Sequence, residues 1–169
     1  SSIHNINHYV LDYNAEIAKN YFTQAKEVLR FYEKYFGDYQ WWEDGYKLVE
    51  APYLGMEHQS AVTYGNGFSI YNGVRSSSWA MYGVIDPLII HETGHEWFGN
   101  SVTASDPTHI WIHEGLQVYS EAIYFEDKFD NYEISVDYLK SIKGRIANKI
   151  PIVGNEDQNH WALSGDTYM

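Results

Sequence analysis

Cysteine is missing from all 169 residues, so the chain can form no disulfide and offers no thiolate to a metal. Any metal it holds must be taken by imidazoles and carboxylates, and the lack of cysteine suits the cytoplasm, the periplasm or the outside equally. Long apolar runs are also missing. None approaches the roughly eighteen residues of a membrane-crossing helix, and nothing at the N-terminus has the form of a signal peptide. Positive charge is scarce: 11 Lys and Arg stand against 23 Asp and Glu, a formal charge of −12. Such a surface repels phosphate backbones and disfavours nucleic acid as a partner. It either attracts a cationic group, such as the free α-amine of a peptide, or simply keeps the surface soluble. No internal repeat, low-complexity tract or linker interrupts the chain.

What is present is ample core material for one domain, with 44% hydrophobic residues, sixteen Tyr and six Trp. Residues 14–36 place Ile17, Tyr21, Ala25, Val28, Leu29, Tyr32 and Phe36 at steps of three and four. That spacing predicts one amphipathic helix, with Asn14 as its N-cap and Gly37 as its stop. From "YKLVEAP" to "HQSAVTYGNGFSIYNG" the pattern becomes short, β-branched and aromatic, which predicts a small sheet with tight turns. A loop, "VRSSSWAMYG", leads to a second helix opened by Asp86 and Pro87 and ending near Gly99-Asn100. A third helix is expected over Ile112 to Glu126, and a fourth from Asp130, where "DNYE" forms a capping box, to about Lys149. The tail "VGNEDQNHWALSGDTYM" is polar and loop-like. The order implies an α+β domain with its helices segregated from the strands.

The second helix carries "HETGHEWFGN". Residues four apart on a helix lie on one face, one turn apart, so His91 and His95 can aim both imidazoles at a single ion. Glu92 lies about 100° round from His91, where it can touch a metal-bound water without ligating the metal. Alone, the motif also fits two exposed or packed histidines. A zinc site with two His needs a third ligand on another element, and "WIHEGLQVYSE" supplies Glu114. Seven residues on, Glu121 falls on the same helical face. It is either a hydrogen-bond acceptor for a ligand imidazole or a surface carboxylate.

"HETGHEWFGN", "WIHEG" and "LGMEHQ" together resemble the zinc aminopeptidases related to aminopeptidase N and the leukotriene-converting epoxide hydrolase, within the gluzincins. The resemblance implies a thermolysin-like catalytic domain holding one zinc ion through His91, His95 and Glu114. It also implies that Gly55, Met56 and Glu57 lie on an edge strand beside the metal, Glu57 binding the substrate's free α-amine. Tyr168, in "SGDTYM", falls about where the family has a tyrosine that steadies the oxyanion. Three positions depart from the usual residues: His58 and His113 stand where Asn is common, and Glu96 where Gln is more frequent. Each adds an ionisable group near the site, with an unusual pH optimum as the expected consequence.

The expected chemistry follows from the ligand set. Zinc bound by two His and one Glu lowers the pKa of its water towards about 7, and Glu92 accepts the proton and later delivers it to the leaving amine. The expected partners are peptides with a free N-terminus. Alternatives are another gluzincin hydrolase, either an endopeptidase or an epoxide hydrolase, and a non-catalytic scaffold of the same fold. Family members carry an N-terminal β domain and further helices, so residues 1–169 are expected to be part of a larger catalytic unit. The isolated piece is then expected to be weakly active or inactive and prone to self-association.

Overall fold

A computed structural model describes residues 5–68 and 86–153, and Asp166 besides. The chain divides into two units, Ser1–Glu96 and Trp97–Met169. The expected strand residues beyond 68, the "VRSSSWAMYG" loop and most of the polar tail lie outside the described residues.

In the first unit, alternation in "YKLVE" fully buries Tyr46 and Leu48 and makes Tyr46–Glu50 a central strand, β2. It lies between β1 (Ile6–Tyr9) and β4 (Val62–Tyr64), both parallel to it, and β3 (Gly55–Met56) pairs antiparallel with β4. The order β1-β2-β4-β3 leaves β3 at an edge of this sheet. Gly65 sets that edge closely. A Cβ there would stand 1.7 Å from the Tyr53 carbonyl oxygen, and its N–H donates to Leu54 O at 2.8 Å.

The expected helix over 14–36 is two helices, α1 (Ala15–Tyr21) and α2 (Gln24–Phe36). Side chains explain the break. Thr23 Oγ1 donates to Asn20 O at 2.6 Å and Gln24 Nε2 to Tyr21 O at 2.9 Å, taking up carbonyls that a continuous helix would use. Asn14 caps nothing with its side chain, because its amide donates to Glu50 at 2.5 Å. Gly37, at φ +93°, does end α2. The inward face of α2 carries Ala25, Val28, Leu29, Phe31 and Tyr32. Because α1 and α2 cross over between the parallel strands β1 and β2, helices and strands are interleaved here, not segregated. β1 left no hydrophobic signal, since Asn7, His8 and Tyr9 are all exposed.

Asp86 and Pro87 start α3 (Pro87–Gly94) as the sequence predicts. Asp86 is fully buried and accepts hydrogen bonds from Leu88 N–H (2.9 Å), Tyr21 Oη (2.8 Å), Tyr64 Oη (2.7 Å) and Asn66 Nδ2 (3.2 Å). Burial, and then the Asp86 charge, push both tyrosine hydroxyls well above their ordinary pKa, so they stay protonated as donors. Asp86→Ala is expected to cost roughly 3 kcal/mol, about 1 for the lost cap and the rest for stranded hydroxyls. Urea unfolding would measure it, and a loss under about 1 kcal/mol would show that the network is not cooperative.

α3 ends at Gly94, earlier than the expected Gly99-Asn100. His95 N–H still reaches His91 O at 3.3 Å, but Glu96 N–H turns to Thr93 O at 3.1 Å. Beyond it, in the second unit, Val102 N–H donates to Trp97 O and Gly99 takes φ +137°, which no continuing helix permits.

The second unit is helical, and its third expected helix starts late. Asp106 caps a 3₁₀ segment, Pro107–Ile112, and only then does α4 (Glu114–Phe129) begin. Asp130 closes α4 at φ +48°, so Asn131 caps α5 (Tyr132–Lys143) instead, accepting from Glu133 N–H at 3.0 Å. α5 stops at Lys143, short of the expected Lys149; Asn148 and Lys149 N–H donate to Asp166 at 2.5 and 2.8 Å. Val118, Ala122 and Phe125 of α4 and Tyr138 and Ile142 of α5 are buried, with the Phe125 and Tyr138 rings 5.2 Å apart. Among the described residues no helix is long and apolar enough to cross a membrane. The α+β reading holds for the chain.

Candidate metal centre

The helical spacing of His91 and His95 brings their Nε2 atoms to 3.1 Å, with the rings perpendicular. Two nitrogens that each lie about 2.0–2.1 Å from one tetrahedral zinc are about 3.3 Å apart, so the pair fits a shared ion. Both rings are buried, His91 at 8% exposure and His95 at 1%, which excludes the reading of two exposed histidines. α3 is held just before the pair and between its members. Tyr32 Oη donates to Ile90 O at 3.3 Å from α2, and Tyr46 Oη meets Thr93 Oγ1 at 2.6 Å from β2.

Glu92 is also buried, and β3 runs directly against it. A Cβ on Gly55 would stand 2.6 Å from Glu92 Oε1. Glu57, half-buried just beyond β3, completes a close group: ligand-type atoms of Glu57, Glu92 and His95 all lie within 4.8 Å of one another. The group thus sets two carboxylates beside one imidazole. The exposed Met56 and the strand order leave β3 as an edge of this sheet.

The three departures fall in different settings. His58 is exposed. Glu96 is buried, at 1% exposure, and its Oε1 accepts the Ser60 N–H at 2.6 Å. His113 Nε2 accepts from Ala104 N–H at 3.0 Å, which ties it to the loop before the 3₁₀ segment. Glu96 and His113 thus each hold local backbone. Sequence reasoning missed Ser60, which accepts from Tyr39 Oη and Lys47 Nζ and donates its N–H to Glu96; partners so far apart in the chain leave no periodic trace.

In the second unit, Glu114 is the first residue of α4 and is buried at 7%. Glu121, two turns on, is fully buried and accepts from the Tyr138 hydroxyl, so it is no surface carboxylate. Tyr168 lies outside the described residues.

The Peptidase family M1 domain matches residues 21–153 of this sequence. The chain belongs to peptidase family M1. Among its relatives, endoplasmic reticulum aminopeptidase 2 of Homo sapiens is 32% identical over 146 residues, 79% of this chain and 15% of that protein. Aminopeptidase M1-C of Oryza sativa subsp. japonica is 30% identical over 116 residues, 67% of this chain and 13% of that protein. This M1 chain therefore spans under a sixth of the length of either relative. Among solved structures, an M1 zinc metallopeptidase from Deinococcus radiodurans matches with a TM-score of 0.51 and 21% identity, over 74% of this chain and 24% of that one. That likeness establishes a common fold.

Proposed function

We propose that this M1 chain carries the metal-binding and substrate-anchoring part of a zinc aminopeptidase. The observation that carries the reading is the convergence of His91 and His95 Nε2 at 3.1 Å with Glu92 and Glu57 beside them. His91, His95 and Glu114 would hold the ion; all three are buried nitrogen or carboxylate donors of the kinds zinc accepts. When bound, zinc acidifies water and polarises the scissile carbonyl.

The remaining steps belong to the chain's own side chains. Glu92 takes a proton from the attacking water and returns it to the departing amine. Glu57 pairs with the substrate's α-ammonium, so that only the first peptide bond reaches Glu92. The outer edge of β3 hydrogen-bonds an extended peptide backbone. Glu121, held by Tyr138, is the proposed hydrogen-bond acceptor for a ligand imidazole, and Tyr168 is the proposed oxyanion donor. A fixed amine anchor obstructs internal cleavage, which favours an aminopeptidase over an endopeptidase. Membership of the family, and relatives named as aminopeptidases, point the same way.

The test is metal analysis coupled to hydrolysis of aminoacyl-anilides by the full-length protein. About one zinc per chain is expected, with activity removed by a chelator and restored by zinc. Protein that holds no transition metal, or that cleaves N-acetylated substrates as fast as free ones, would overturn the reading.

A further inference from the structure

The turn after Glu57 is pinned through one residue. Ser60 is buried and sits at φ +58°, the left-handed region where a non-glycine residue needs support from its surroundings. Each of its polar groups is engaged. Its N–H donates to Glu96 Oε1 at 2.6 Å, its Oγ accepts from Tyr39 Oη at 3.1 Å, and its carbonyl accepts from Lys47 Nζ at 3.5 Å. The shortest of these three bonds is the one to Glu96, the residue immediately after His95. It is charge-assisted and lies in a dry setting, where such bonds are strongest. The His58 carbonyl accepts Ala61 N–H at 2.9 Å, so the residues between Glu57 and β4 form one tight turn.

We propose that Glu96 is a positioning residue: by capturing the Ser60 N–H it latches the turn after β3 to the end of the metal helix and fixes where the Glu57 carboxylate stands. Glu57 is three residues from the latch, with no regular element between. Without the acceptor, the left-handed turn relaxes and the Glu57 carboxylate moves relative to His95 and Glu92. The histidine pair itself is held by α3 and its own neighbours, so zinc content is expected to be unchanged. This inference rests on the proposed role of Glu57 as amine anchor.

The experiment compares Glu96→Leu, which removes the acceptor, with Glu96→Gln, which keeps an oxygen in place, in the full-length protein. Three quantities are read: zinc content, hydrogen exchange at the Ser60 amide, and the affinity for an amino-acid hydroxamate relative to its N-acetyl form. With zinc at parity, Glu96→Leu is expected to speed Ser60 exchange at least tenfold. It should lower the free-amine preference about tenfold, raising KM more than it lowers kcat, and Glu96→Gln should restore most of both. If Glu96→Leu does not fold, Glu96→Asp keeps the charge but withdraws the oxygen by one methylene, and the same loss is expected. Unchanged Ser60 exchange would overturn the latch. Faster exchange with an unchanged amine preference would overturn its role in placing Glu57. A wild-type protein with no amine preference would sink the aminopeptidase reading instead, while the exchange measurement still decides whether the latch exists.

Discussion

Glu92→Gln is expected to reduce turnover by about a thousandfold while zinc content stays at wild-type level. Gln fills the same volume and keeps a hydrogen-bonding oxygen, but it cannot accept a proton at neutral pH. On the proposed assignment the residue's contribution is proton transfer alone, an effect usually worth about 10²- to 10⁴-fold. The metal should be indifferent to the change. The ring nitrogens of His91 and His95 converge without help from Glu92, whose side chain leaves α3 about 100° away from His91. The closeness of β3 also favours an isosteric test, since a larger or differently shaped group would press on Gly55. Metal content by mass spectrometry and kcat on an aminoacyl-anilide would be measured on the same preparations. Parallel loss of zinc and activity would mean that Glu92 is itself a ligand, and the division of roles along the helix would have to be redrawn.

The parts of this site that could be read from sequence are those whose geometry is local. A helix fixes the angle between positions four apart, so the convergence of His91 and His95 follows from spacing once the helix is granted. Asp86-Pro87 marks the start of α3 for the same reason, because a cap involves neighbours along the chain. The failures come from partners that are distant in sequence or that compete locally. Asn14 has the residue type and position of a cap, but its amide is taken by Glu50, 36 residues away. The helix break at Phe22-Thr23 depends on side chains reaching back to carbonyls, which apolar periodicity does not register. β1 is largely exposed and therefore carries no alternation to detect. Glu96 shows the same limit within the motif itself. Its place in the motif predicts an ionisable group near the site but does not reveal the Ser60 N–H, 36 residues away, that its carboxylate accepts.

Glu57→Ala is expected to collapse the preference for substrates with a free α-amine and to leave zinc in place. A carboxylate paired with an ammonium in a partly dry site contributes about 1.5–3 kcal/mol, roughly 10- to 150-fold in affinity. Glu57 is half-buried just past the edge strand, and its carboxylate lies within 4.8 Å of ligand-type atoms of Glu92 and His95. An amine held there would place the first peptide bond of an extended substrate beside Glu92, so positioning is lost together with binding. The effect on kcat/KM should therefore lie at the upper end of that range, about 100-fold, for aminoacyl-anilides. N-acetylated analogues, which never engage the carboxylate, should change by less than about threefold. Glu57→Gln separates charge from shape: the amide keeps an acceptor oxygen but loses the ion pair, and should recover only part of the preference. Calorimetry with a free amino-acid hydroxamate and its N-acetyl form would give the ratio directly, with zinc measured alongside. If free and acetylated ligands weaken equally in Glu57→Ala, Glu57 shapes the site without reading the amine, and the case against an endopeptidase loses its main support.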